Sequence, residues 1–527
     1  MHRVLITGKL AQVALDLFAS APDVEVVYKP DLPYPQLLEL VDGFDCLISR
    51  SETPIPRELI DRATRLKVIA RAAVGVGNID IEYATERGIL VLNTPGMNTN
   101  SAAELTLGLL LAVQRKIVLA HNNMASEGWD RHRFSGWELR GKTIGIIGLG
   151  NVGHRVARFA RGFEMKVLAY DPYIADRVFE LHGAQKVTLE QLCREADVIT
   201  VHVPKTRETS GMLAKQQLDW MKQGVILLNA ARGGVIDEAV LLEGLQSGKV
   251  RGAGVDTWMV EPPVDNPFRH LSNVVMTPHI GASTVEAQYL IGKTVAEQSI
   301  RALRGEVVDY PVNMPQMRVL EGSSSRYYTV LSEQLGRFAA QYVGFSPSQL
   351  DVMHRGKFDE NDVRLIRLAF LKGYLQASSD ELITYVNAER KAQQRGLGVR
   401  VHSDSVLDGY ENGVRFRLSG GQQQMQVGGV VFGENQMRLT RLNDYIFEME
   451  PRGTLLVTIN KDQPGMIGVI GTVLGKHDVN IDEFELARNR PGGEAMALIR
   501  VDSDASELAL SELRARPGMT GVKRIRL

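Results

Sequence analysis

The chain has 527 residues, enough for roughly three or four domains, and with 44% hydrophobic and 23% charged residues it has the composition of an ordinary globular protein. Its 61 basic and 62 acidic residues give a formal net charge of −1, so the bulk charge favours neither nucleic acid nor an anionic membrane surface as a partner. Cys46 and Cys193 are the only cysteines, which argues against a disulfide framework and predicts a reduced, cytoplasmic protein. The first residues do not resemble a signal peptide, and no apolar run approaches the roughly 18 residues of a membrane span.

From the N-terminus to about Ala282, short apolar runs alternate with amphipathic stretches. Runs of this length suit strands buried on both faces of a parallel sheet, and their alternation with helices predicts a doubly wound α/β fold. The predicted strands include residues 4–7, 46–49, 67–70, 90–93, 143–148, 166–170, 198–203, 225–229 and 252–256. The predicted helices include residues 101–120 and 152–163. One block ends near Asn93, and a second begins near Asn98.

The character of the chain changes after the proline-containing segment 310–315, which predicts a domain boundary. Up to about Pro451 the pattern predicts an α+β module, with helices at 328–342 and 365–375 and strands at 413–418 and 424–432. The remainder predicts a compact βαββαβ unit. Its predicted elements are residues 454–460, 464–475, 480–488, 494–501, 506–514 and 521–527. The expected fold class is therefore α/β, with two doubly wound Rossmann-like domains, an α+β intervening domain and a terminal βαββαβ domain.

A glycine-rich turn follows the predicted strand that begins at Thr143. Gly148, Gly150 and Gly153 have the G-x-G-x-x-G spacing between an apolar strand and a helix, which lets a pyrophosphate approach the helix N-terminus. Asp171 closes the next strand, where its carboxylate would bond both ribose hydroxyls and repel a 2′-phosphate. The pattern predicts NAD rather than NADP, and a purely structural glycine turn is the weaker alternative.

Three further residues suggest chemistry on a hydroxy acid. Arg232 directly follows a buried strand, and its planar guanidinium suits a carboxylate. Oxidation of an alcohol needs a base, and His279 paired with Glu261 would supply one. Taken singly, the arginine is as often a solvated charge, and a lone histidine is more often structural. Their order along the chain favours the functional interpretation.

The glycine turn, together with residues 229–234, 261–262 and 277–284, resembles the D-2-hydroxyacid dehydrogenase family. The resemblance implies that Arg232 binds substrate, Glu261 tunes the base and His279 transfers the proton. It also implies a hinge at residues 94–104. The implied cofactor contacts come from Gly148, Gly150, Asn151, Val152, Gly153, Asp171, His202, Pro204, Ala230, Arg232, Asp256 and His279.

The similarity extends over nearly the whole chain. Residues 328–341, 386–396 and 430–433 resemble the intervening domain of the long phosphoglycerate dehydrogenases, and residues 460–468 with 479–481 resemble an ACT domain. This combination implies NAD-dependent oxidation of D-3-phosphoglycerate to 3-phosphooxypyruvate, the first step of phosphorylated L-serine biosynthesis. The implied domains are 1–97 with 283–314 for substrate, 98–282 for NAD, 315–450 as the intervening regulatory domain, and 451–527 as the ACT domain.

Two arginines of the first block match family positions that hold the substrate phosphate. Arg50 and Arg71 both follow predicted buried strands, and two fixed cations suit a doubly charged phosphate. Surface ion pairs are the alternative. Asn78 is expected to bind substrate as well. Gly77 stands where the family usually has an aspartate, and Asn151 stands where a basic residue is frequent, so the substrate loop and one pyrophosphate contact depart from the family pattern.

The ACT-like unit implies a small-molecule effector. By resemblance, Asn460, Asp462 and Asn480 would contact L-serine, and the alternative is a purely structural dimerisation module. The family is commonly oligomeric, so we expect a homo-oligomer, a dimer or tetramer, and no metal. Two other functions stay open at this point: a dehydrogenase of another 2-hydroxy acid, such as glyoxylate or hydroxypyruvate reduction, and a non-catalytic NAD-sensing scaffold.

Overall fold

The computed structural model describes residues 1–306, 308–314, 325–379, 381–404, 407, 409–433 and 435–527. The chain forms two compact units. One comprises Met1–Lys9, Leu15–Asn93 and Val295–Leu527, and the other comprises Leu10–Ala14 and Thr94–Thr294. Pro315, the last residue of the predicted boundary, lies outside the described residues. Within the described ranges, no helix combines the length and the apolar character needed to cross a bilayer.

The first unit begins with a parallel five-stranded sheet of order β2-β1-β3-β4-β5. Its strands are β1 (His2–Ile6), β2 (Val24–Tyr28), β3 (Cys46–Ser49), β4 (Val68–Arg71) and β5 (Leu90–Leu92). The helices around it are α1 (Gln12–Ala19), α2 (Tyr34–Leu40), α3 (Arg57–Arg62) and α4 (Ile81–Glu86). Every residue of β3 and β4 is buried, as the continuous apolar runs predict. Arg50 and Arg71 therefore lie at the carboxyl edge of the sheet, where open α/β sheets bind ligands.

The second unit contains a parallel seven-stranded sheet of order β12-β11-β10-β9-β6-β7-β8. Its strands are β6 (Thr143–Ile147), β7 (Lys166–Tyr170), β8 (Gln185–Lys186), β9 (Val198–Val201), β10 (Val225–Asn229), β11 (Val250–Val255) and β12 (Val274–Met276). Its helices are α5 (Thr99–Gln114), α6 (Ile117–Ala125), α7 (Asn151–Gly162), α8 (Asp176–Leu181), α9 (Leu189–Glu195), α10 (Lys215–Trp220) and α11 (Glu238–Ser247), and α12 (Val285–Leu303) begins in this unit. The strand order reverses between β6 and β9, which places a ligand crevice at the carboxyl end of β6.

The prediction of one continuous helix over residues 101–120 is wrong. The structure breaks it between α5 and α6, where Lys116 adopts a left-handed conformation with φ 53°. The Gln114 carbonyl accepts a hydrogen bond from the Trp137 backbone N–H at 3.3 Å, and Lys116 Nζ donates to the Arg133 carbonyl at 3.2 Å. The segment that contains Arg133 and Trp137 is thus hydrogen-bonded to the chain at the break between the two helices. The sequence contains no glycine or proline at this break that would have predicted it.

The α+β module is confirmed as a six-stranded sheet of order β14-β13-β15-β16-β17-β18, in which only β13 and β14 are parallel among the described pairings. Its strands are β13 (Gln349–Arg355), β14 (Gly398–Ser403), β15 (Gly413–Gly420), β16 (Gln423–Phe432), β17 (Gln436–Leu442) and β18 (Tyr445–Met449). Its helices are α13 (Ser325–Tyr342), α14 (Glu360–Gln376) and α15 (Ala388–Gln394). One face of the sheet carries the core, with Leu350, Val352 and Phe416 fully buried.

The C-terminal unit is confirmed as βαββαβ, with an antiparallel sheet of order β20-β21-β19-β22. Its elements are β19 (Thr454–Lys461), α16 (Met466–Lys476), β20 (Ile481–Arg488), β21 (Glu494–Val501), α17 (Glu507–Arg514) and β22 (Met519–Arg526). Leu455, Val457 and Leu498 belong to the same hydrophobic cluster as the six-stranded sheet, so these two sheets share part of one core.

Candidate active site

The glycine-rich turn has the geometry of a dinucleotide-binding loop. Gly148 turns with φ +90°, and a Cβ on Gly153 would lie 2.0 Å from the Gly148 carbonyl oxygen, so α7 can pack on the turn only without a side chain there. A Cβ on Gly150 would meet nothing within 4 Å. The space beside Gly150 therefore suits a group that approaches the backbone closely, as a pyrophosphate does.

The start of α7 and the end of β7 complete this turn. Gly150 is the N-cap of α7 and supplies no side-chain cap, so the first N–H groups of Asn151 and Val152 remain available to an anion. Asp171 accepts hydrogen bonds from the backbone N–H groups of Leu149 and Tyr173, both at 3.0 Å. The carboxylate is thus fixed beside the glycine turn, where a cofactor ribose is expected.

The other expected cofactor residues lie on the loops after β9 and β10. His202 follows β9, its Nε2 lies 2.9 Å from Thr200 Oγ1, and burial lowers its pKa to about 3, so the ring is neutral. Pro204 is exposed, and Ala230 is half-buried directly after β10. The free N–H groups of the glycine turn, the open space beside it and the Asp171 carboxylate suit the diphosphate and ribose of NAD. Among the described residues, no cluster of three or more histidine, cysteine or carboxylate side chains suits a metal.

His279 and Glu261 form the predicted pair. His279 Nδ1 lies 2.7 Å from Glu261 Oε2, and Glu261 Oε1 accepts the Trp258 backbone N–H at 2.9 Å. An ionised carboxylate only accepts hydrogen bonds, so Nδ1 carries the proton. Nε2 is then the basic nitrogen of the ring. Because the imidazole is 41% exposed, a substrate can reach it.

The pair shifts the pKa of both partners. The hydrogen bond to Glu261 is the main cause that raises the pKa of His279, and burial opposes it. Burial acts to raise the pKa of Glu261, but the bonds from His279 and the Trp258 N–H outweigh it and hold the pKa below its ordinary value. Glu261 therefore stays ionised and stabilises the imidazolium that forms when His279 takes a proton.

Asp256 organises the backbone that carries His279. Its fully buried carboxylate accepts hydrogen bonds from Thr277 Oγ1 at 2.6 Å and from the N–H groups of Ile280 at 2.8 Å and Gly281 at 3.0 Å. The His279 N–H also donates to the Asp256 carbonyl at 2.9 Å, and His279 itself has φ 54°. A buried carboxylate with this many donors is a rigid anchor. The left-handed backbone of His279 is held by these contacts.

Arg232 lies on the loop after β10. Asn229 shapes this loop, because its Nδ2 donates to the Arg232 carbonyl at 2.9 Å and its Oδ1 accepts the Ala231 N–H at 3.1 Å. Arg232 Nη1 donates to the Ala231 carbonyl at 2.6 Å, and burial lowers the pKa of the guanidinium, while the Glu261 charge opposes that shift. No carboxylate bonds Arg232 directly within the described parts of the chain, which leaves the cation available to an anionic substrate group.

The three residues expected to bind the substrate phosphate differ in burial and in hydrogen-bond partners. Arg50 is 24% exposed, and its Nη1 donates to the Lys9 carbonyl at 3.1 Å. Arg71 is fully buried and donates to Asn78 Oδ1 at 2.7 Å and to the Thr53 carbonyl at 3.1 Å. Asn78 is exposed and also donates to the Ser51 carbonyl at 2.7 Å. Arg71 and Asn78 therefore lie together, with Asn78 nearer to solvent.

Arg71 is an unusual buried cation. Burial lowers its pKa to about 10, so it stays charged at neutral pH, although its Nε has no hydrogen-bond partner among the described residues. Glu52 affects it only through its charge, without an ion pair to Arg71 in the described ranges. A buried charge without a carboxylate partner is costly. A nearby anionic ligand would offset that cost.

The three expected effector residues have separate local partners. Asn460 is buried, and its Nδ2 donates to the Lys461 carbonyl at 2.7 Å, while its Oδ1 has no partner among the described residues. Asp462 Oδ2 accepts the Gly492 N–H at 2.9 Å and lies 3.4 Å from Arg488 Nη1. Asn480 Nδ2 donates to Asp502 Oδ2 at 2.6 Å. Each of the three side chains is thus held by different residues of the C-terminal sheet and its loops.

Sequence reasoning missed residues that support the site. Asn229 appeared only as part of a motif, and its position at the end of a buried strand was the available signal. Glu238 was not identified: its Oε1 accepts the Met259 N–H at 2.6 Å and so holds the loop that leads to Glu261. Gly233 is also required, because a Cβ there would lie 1.8 Å from the Trp258 carbonyl oxygen. Sequence spacing alone gives no signal for these long-range contacts.

Family models match two parts of the chain. The D-isomer specific 2-hydroxyacid dehydrogenase NAD binding domain matches residues 107–281, and the D-3-phosphoglycerate dehydrogenase intervening domain matches residues 325–443. The chain is 38% identical over 528 residues to the D-3-phosphoglycerate dehydrogenase of Methanocaldococcus jannaschii, covering 100% of both chains. It is 34% identical over 527 residues to that of Bacillus subtilis, again covering 100% of both.

Solved structures resemble the α/β portion. The TT0316 protein of Thermus thermophilus is 38% identical, with a TM-score of 0.55 over 59% of this chain and 99% of that chain. Aquifex aeolicus D-lactate dehydrogenase, solved with NAD and lactic acid, is 27% identical, with a TM-score of 0.51 over 57% of this chain and 96% of that chain. The chain therefore belongs to the D-isomer specific 2-hydroxyacid dehydrogenases, within the family of D-3-phosphoglycerate dehydrogenases.

Proposed function

We propose that the protein oxidises D-3-phosphoglycerate to 3-phosphooxypyruvate, the first step of the phosphorylated route to L-serine. Bound NAD would supply the acceptor for the hydride that leaves C2 of the substrate. The observation that carries the proposal is the 2.7 Å contact between His279 and Glu261, in a chain whose full length matches D-3-phosphoglycerate dehydrogenases. An acid–base pair of this kind is what the hydroxyl proton requires.

His279 takes the hydroxyl proton through Nε2 in the oxidation direction and returns it in the reduction direction. Glu261 keeps Nδ1 protonated, fixes the ring and stabilises the imidazolium. Asp256 positions the 277–281 backbone, and the family resemblance assigns it a place near the nicotinamide carboxamide. Arg232 binds the substrate carboxylate and polarises the C2 oxygen as the carbonyl forms, since a half-buried guanidinium exerts a stronger field than one in water.

Arg50 and Asn78 bind the substrate phosphate. Arg71 is a buried cation behind Asn78 that holds this side chain and adds positive charge near the phosphate. The support for this assignment is the 2.7 Å bond from Arg71 to Asn78 and the absence of a carboxylate bonded to Arg71 in the described residues. Arg71 then acts mainly through Asn78 rather than by direct contact. A phosphate-free acid would gain little from either arginine.

Gly150 and the first N–H groups of α7 would hold the cofactor diphosphate, and the Asp171 carboxylate would accept hydrogen bonds from the ribose hydroxyls. The remaining contacts would come from Asn151, Val152, His202, Pro204 and Ala230. The uncapped start of α7 and the free space beside Gly150 support this placement.

We also propose that L-serine regulates the enzyme through Asn460, Asp462 and Asn480. Asn460 Oδ1 is buried and has no hydrogen-bond partner in the part of the chain that the structure describes, which supports a polar ligand in this region. Calorimetric titration of serine into the protein tests the proposal. Binding that weakens in Asn480→Ala supports it, and no heat of binding to the unaltered protein rejects it.

The predicted division into 1–97 with 283–314, 98–282, 315–450 and 451–527 stays a proposal, as does a cytoplasmic location. We propose that the protein is a homo-oligomer, a dimer or tetramer. Ile117 and Met124 on α6 and the nearby Trp129 are 51%, 54% and 74% exposed and provide an apolar surface that a second copy would cover. Light scattering on the purified protein measures the subunit number, and a monomer at micromolar concentration contradicts the proposal.

The decisive assay is NADH formation with D-3-phosphoglycerate, D-glycerate and D-lactate, together with NADH consumption with glyoxylate and hydroxypyruvate. We expect D-3-phosphoglycerate to give the highest kcat/KM. Arg50→Ala should lower that value strongly for the phosphorylated acid and leave D-glycerate turnover nearly unchanged. Equal losses on both acids would contradict the phosphate assignment, and nucleotide binding without turnover of any acid would contradict the enzymatic function.

A further inference from the structure

The short helix α4 joins the substrate loop, residues 72–80, to the turn before β5. At its start, Asp80 Oδ1 accepts the Tyr83 N–H at 3.0 Å and caps the helix. The loop itself is tied to residue Ile55, whose N–H donates to the Asn78 carbonyl at 2.8 Å and whose carbonyl accepts the Asp80 N–H at 2.9 Å. Asn78 thus lies immediately before α4, and the two are connected by continuous hydrogen-bonded backbone.

The other end of α4 is held by the intervening domain. Thr384 Oγ1 donates to the Gly88 carbonyl at 3.1 Å, and Arg390 Nη2 lies 3.2 Å from Glu86 Oε1. Gly88 has φ +75°, and a Cβ there would lie 2.5 Å from Asn387 Nδ2. Any side chain at position 88 would therefore have to displace the Asn387 amide and adopt a positive φ.

Asn387 gives the contacting loop its shape. Its side chain is 2% exposed, its Oδ1 accepts the Thr384 N–H at 2.8 Å, and its Nδ2 donates to the Leu382 carbonyl at 3.1 Å. These bonds fix the direction in which Thr384 presents its hydroxyl. Asn387 belongs to the motif at residues 386–396, to which none of the proposed catalytic, substrate, cofactor or effector roles is assigned. The motif thereby shapes the loop that contacts α4.

Asn313, in the segment that precedes the intervening domain, forms a second contact with the turn between α4 and β5. Asn313 Oδ1 accepts the Val91 N–H at 2.9 Å, and Asn313 Nδ2 donates to the Ile89 carbonyl at 2.9 Å and to Thr85 Oγ1 at 3.1 Å. The C-terminal end of α4 is therefore fixed by hydrogen bonds from two separate parts of the chain.

Packing connects the two ends of α4. Ala84 in the helix is fully buried, and Ile79 and Ile89 on either side of it are 6% and 3% exposed. Close-packed interiors leave little room for one end of so short a helix to shift alone. A displacement at Gly88 consequently moves the Asp80 end and the substrate loop with it.

We propose that Thr384 and Arg390 are positioning residues for the substrate loop, because they hold α4 and, through it, Asn78. The inference rests on the proposed function for its kinetic readout, and hydrogen exchange of residues 72–80 provides a readout that does not depend on turnover. The intervening domain thereby supports substrate binding within its own chain.

The test compares Thr384→Val, which removes the hydroxyl and keeps the shape, with Arg390→Ala and with a control, Arg395→Ala. Arg395 donates to Ser378 Oγ at 3.1 Å inside the intervening domain, so its loss should leave the substrate loop unchanged. Thr384 Oγ1 also accepts the Val386 N–H at 3.2 Å, so the substitution removes a local bond as well as the bond to Gly88. Only the neutral bond to Gly88 reaches the end of α4 and sets the scale, so we expect Thr384→Val to raise KM for D-3-phosphoglycerate about two- to fivefold. Arg390→Ala should raise it less than about twofold, since the ion pair is solvent-exposed.

In both variants we expect unchanged kcat, unchanged NADH affinity by fluorescence titration, and faster exchange in residues 72–80. The charge reversal Glu86→Arg with Arg390→Glu should restore the KM that Arg390→Glu alone raises. Gly88→Asn is the stronger perturbation, because asparagine tolerates a positive φ but its side chain would collide with Asn387.

The proposal is overturned if Gly88→Asn speeds exchange in residues 382–391 but leaves both KM and the exchange of residues 72–80 unchanged. It is also overturned if every variant, including the control, changes KM equally. A wild-type protein without NADH formation would instead reject the proposed function, and the exchange of residues 72–80 would still decide whether α4 transmits the contact.

Discussion

Replacing Glu261 by glutamine should change the pH dependence of catalysis in a defined direction. The substitution keeps the side-chain shape but replaces one of the two acceptor oxygens by an NH2 group, so the amide can accept from only one of the Trp258 N–H and His279 Nδ1–H groups. It also removes the negative charge 2.7 Å from His279 Nδ1. The bond to Glu261 is the main cause of the raised pKa of His279, so that pKa should fall towards its ordinary value.

The magnitude follows from the environment of the pair. A hydrogen bond to a charged group contributes about 1.5–3 kcal/mol when it is well formed, and solvent reduces that contribution. Because His279 and Glu261 are 41% and 37% exposed, we take about 1.4 kcal/mol, which corresponds to about a tenfold lower plateau of kcat/KM when the bond to the carboxylate is lost.

A lower pKa of His279 moves the pH profiles of both reaction directions to lower pH, but at a fixed pH it affects the two rates oppositely. Oxidation needs neutral His279, so kcat/KM for D-3-phosphoglycerate falls on the acid side as the imidazole becomes protonated. In Glu261→Gln the acid limb should move to lower pH, with a reduced plateau because the base is weaker and its Nδ1–H tautomer is held less firmly. Reduction needs protonated His279, so its alkaline limb should also move lower, and at neutral pH the variant should lose more reduction than oxidation.

The assay is the pH profile of kcat/KM in both directions, measured in one buffer system for wild type and Glu261→Gln. Asp359→Asn is a suitable control, because it removes a carboxylate that caps α14 of the intervening domain by accepting the Asp362 N–H at 2.8 Å. An acid limb that stays in place, or moves to higher pH, would refute the role assigned to Glu261.

Gly150→Ala and Gly153→Ala should distinguish an effect on NADH binding from an effect on folding. Gly150→Ala has room for its Cβ and should weaken NADH binding at nearly unchanged thermal stability. Gly153→Ala should lower the free energy of unfolding by about 1–3 kcal/mol, because its Cβ overpacks the turn. Denaturant unfolding and fluorescence titration measure the two effects, and equal stability losses would contradict this. Asp171→Ala should raise the NADP-to-NAD ratio of kcat/KM at least about tenfold by removing a repulsive charge, and an unchanged ratio would place the ribose elsewhere. Arg71→Met should raise KM for D-3-phosphoglycerate more than about tenfold while leaving NADH affinity unchanged, as judged by initial rates and titration, and an unchanged KM would exclude Arg71 from phosphate support.

Much of the fold follows from local sequence pattern. Continuous apolar runs such as residues 46–49 and 225–229 can satisfy burial only as central strands, and the structure confirms them as β3 and β10. The glycine turn was equally predictable, because each of its glycines meets a local steric or open-space requirement. Short edge strands such as Gln185–Lys186 were not identified, since both residues are exposed and carry no apolar signal.

The features that the sequence did not reveal depend on contacts between distant segments. The helix break at Lys116 depends on hydrogen bonds with Trp137 and Arg133. The complete burial of Arg71 follows from its place at the end of a central strand, while the sequence indicated only a cation after a strand. Asp256 was expected beside the cofactor, but its hold on the 277–281 backbone becomes visible only when β11 and β12 lie side by side.

The most direct test of the account is the initial rate of NADH formation from D-3-phosphoglycerate by wild type and His279→Ala under the same saturating conditions. The account predicts steady turnover by the wild type and a loss of at least about a hundredfold in kcat for the variant, with NADH affinity retained. Full turnover by His279→Ala would contradict the assignment of the catalytic base, and an inactive but NADH-binding wild type would contradict the proposed reaction itself.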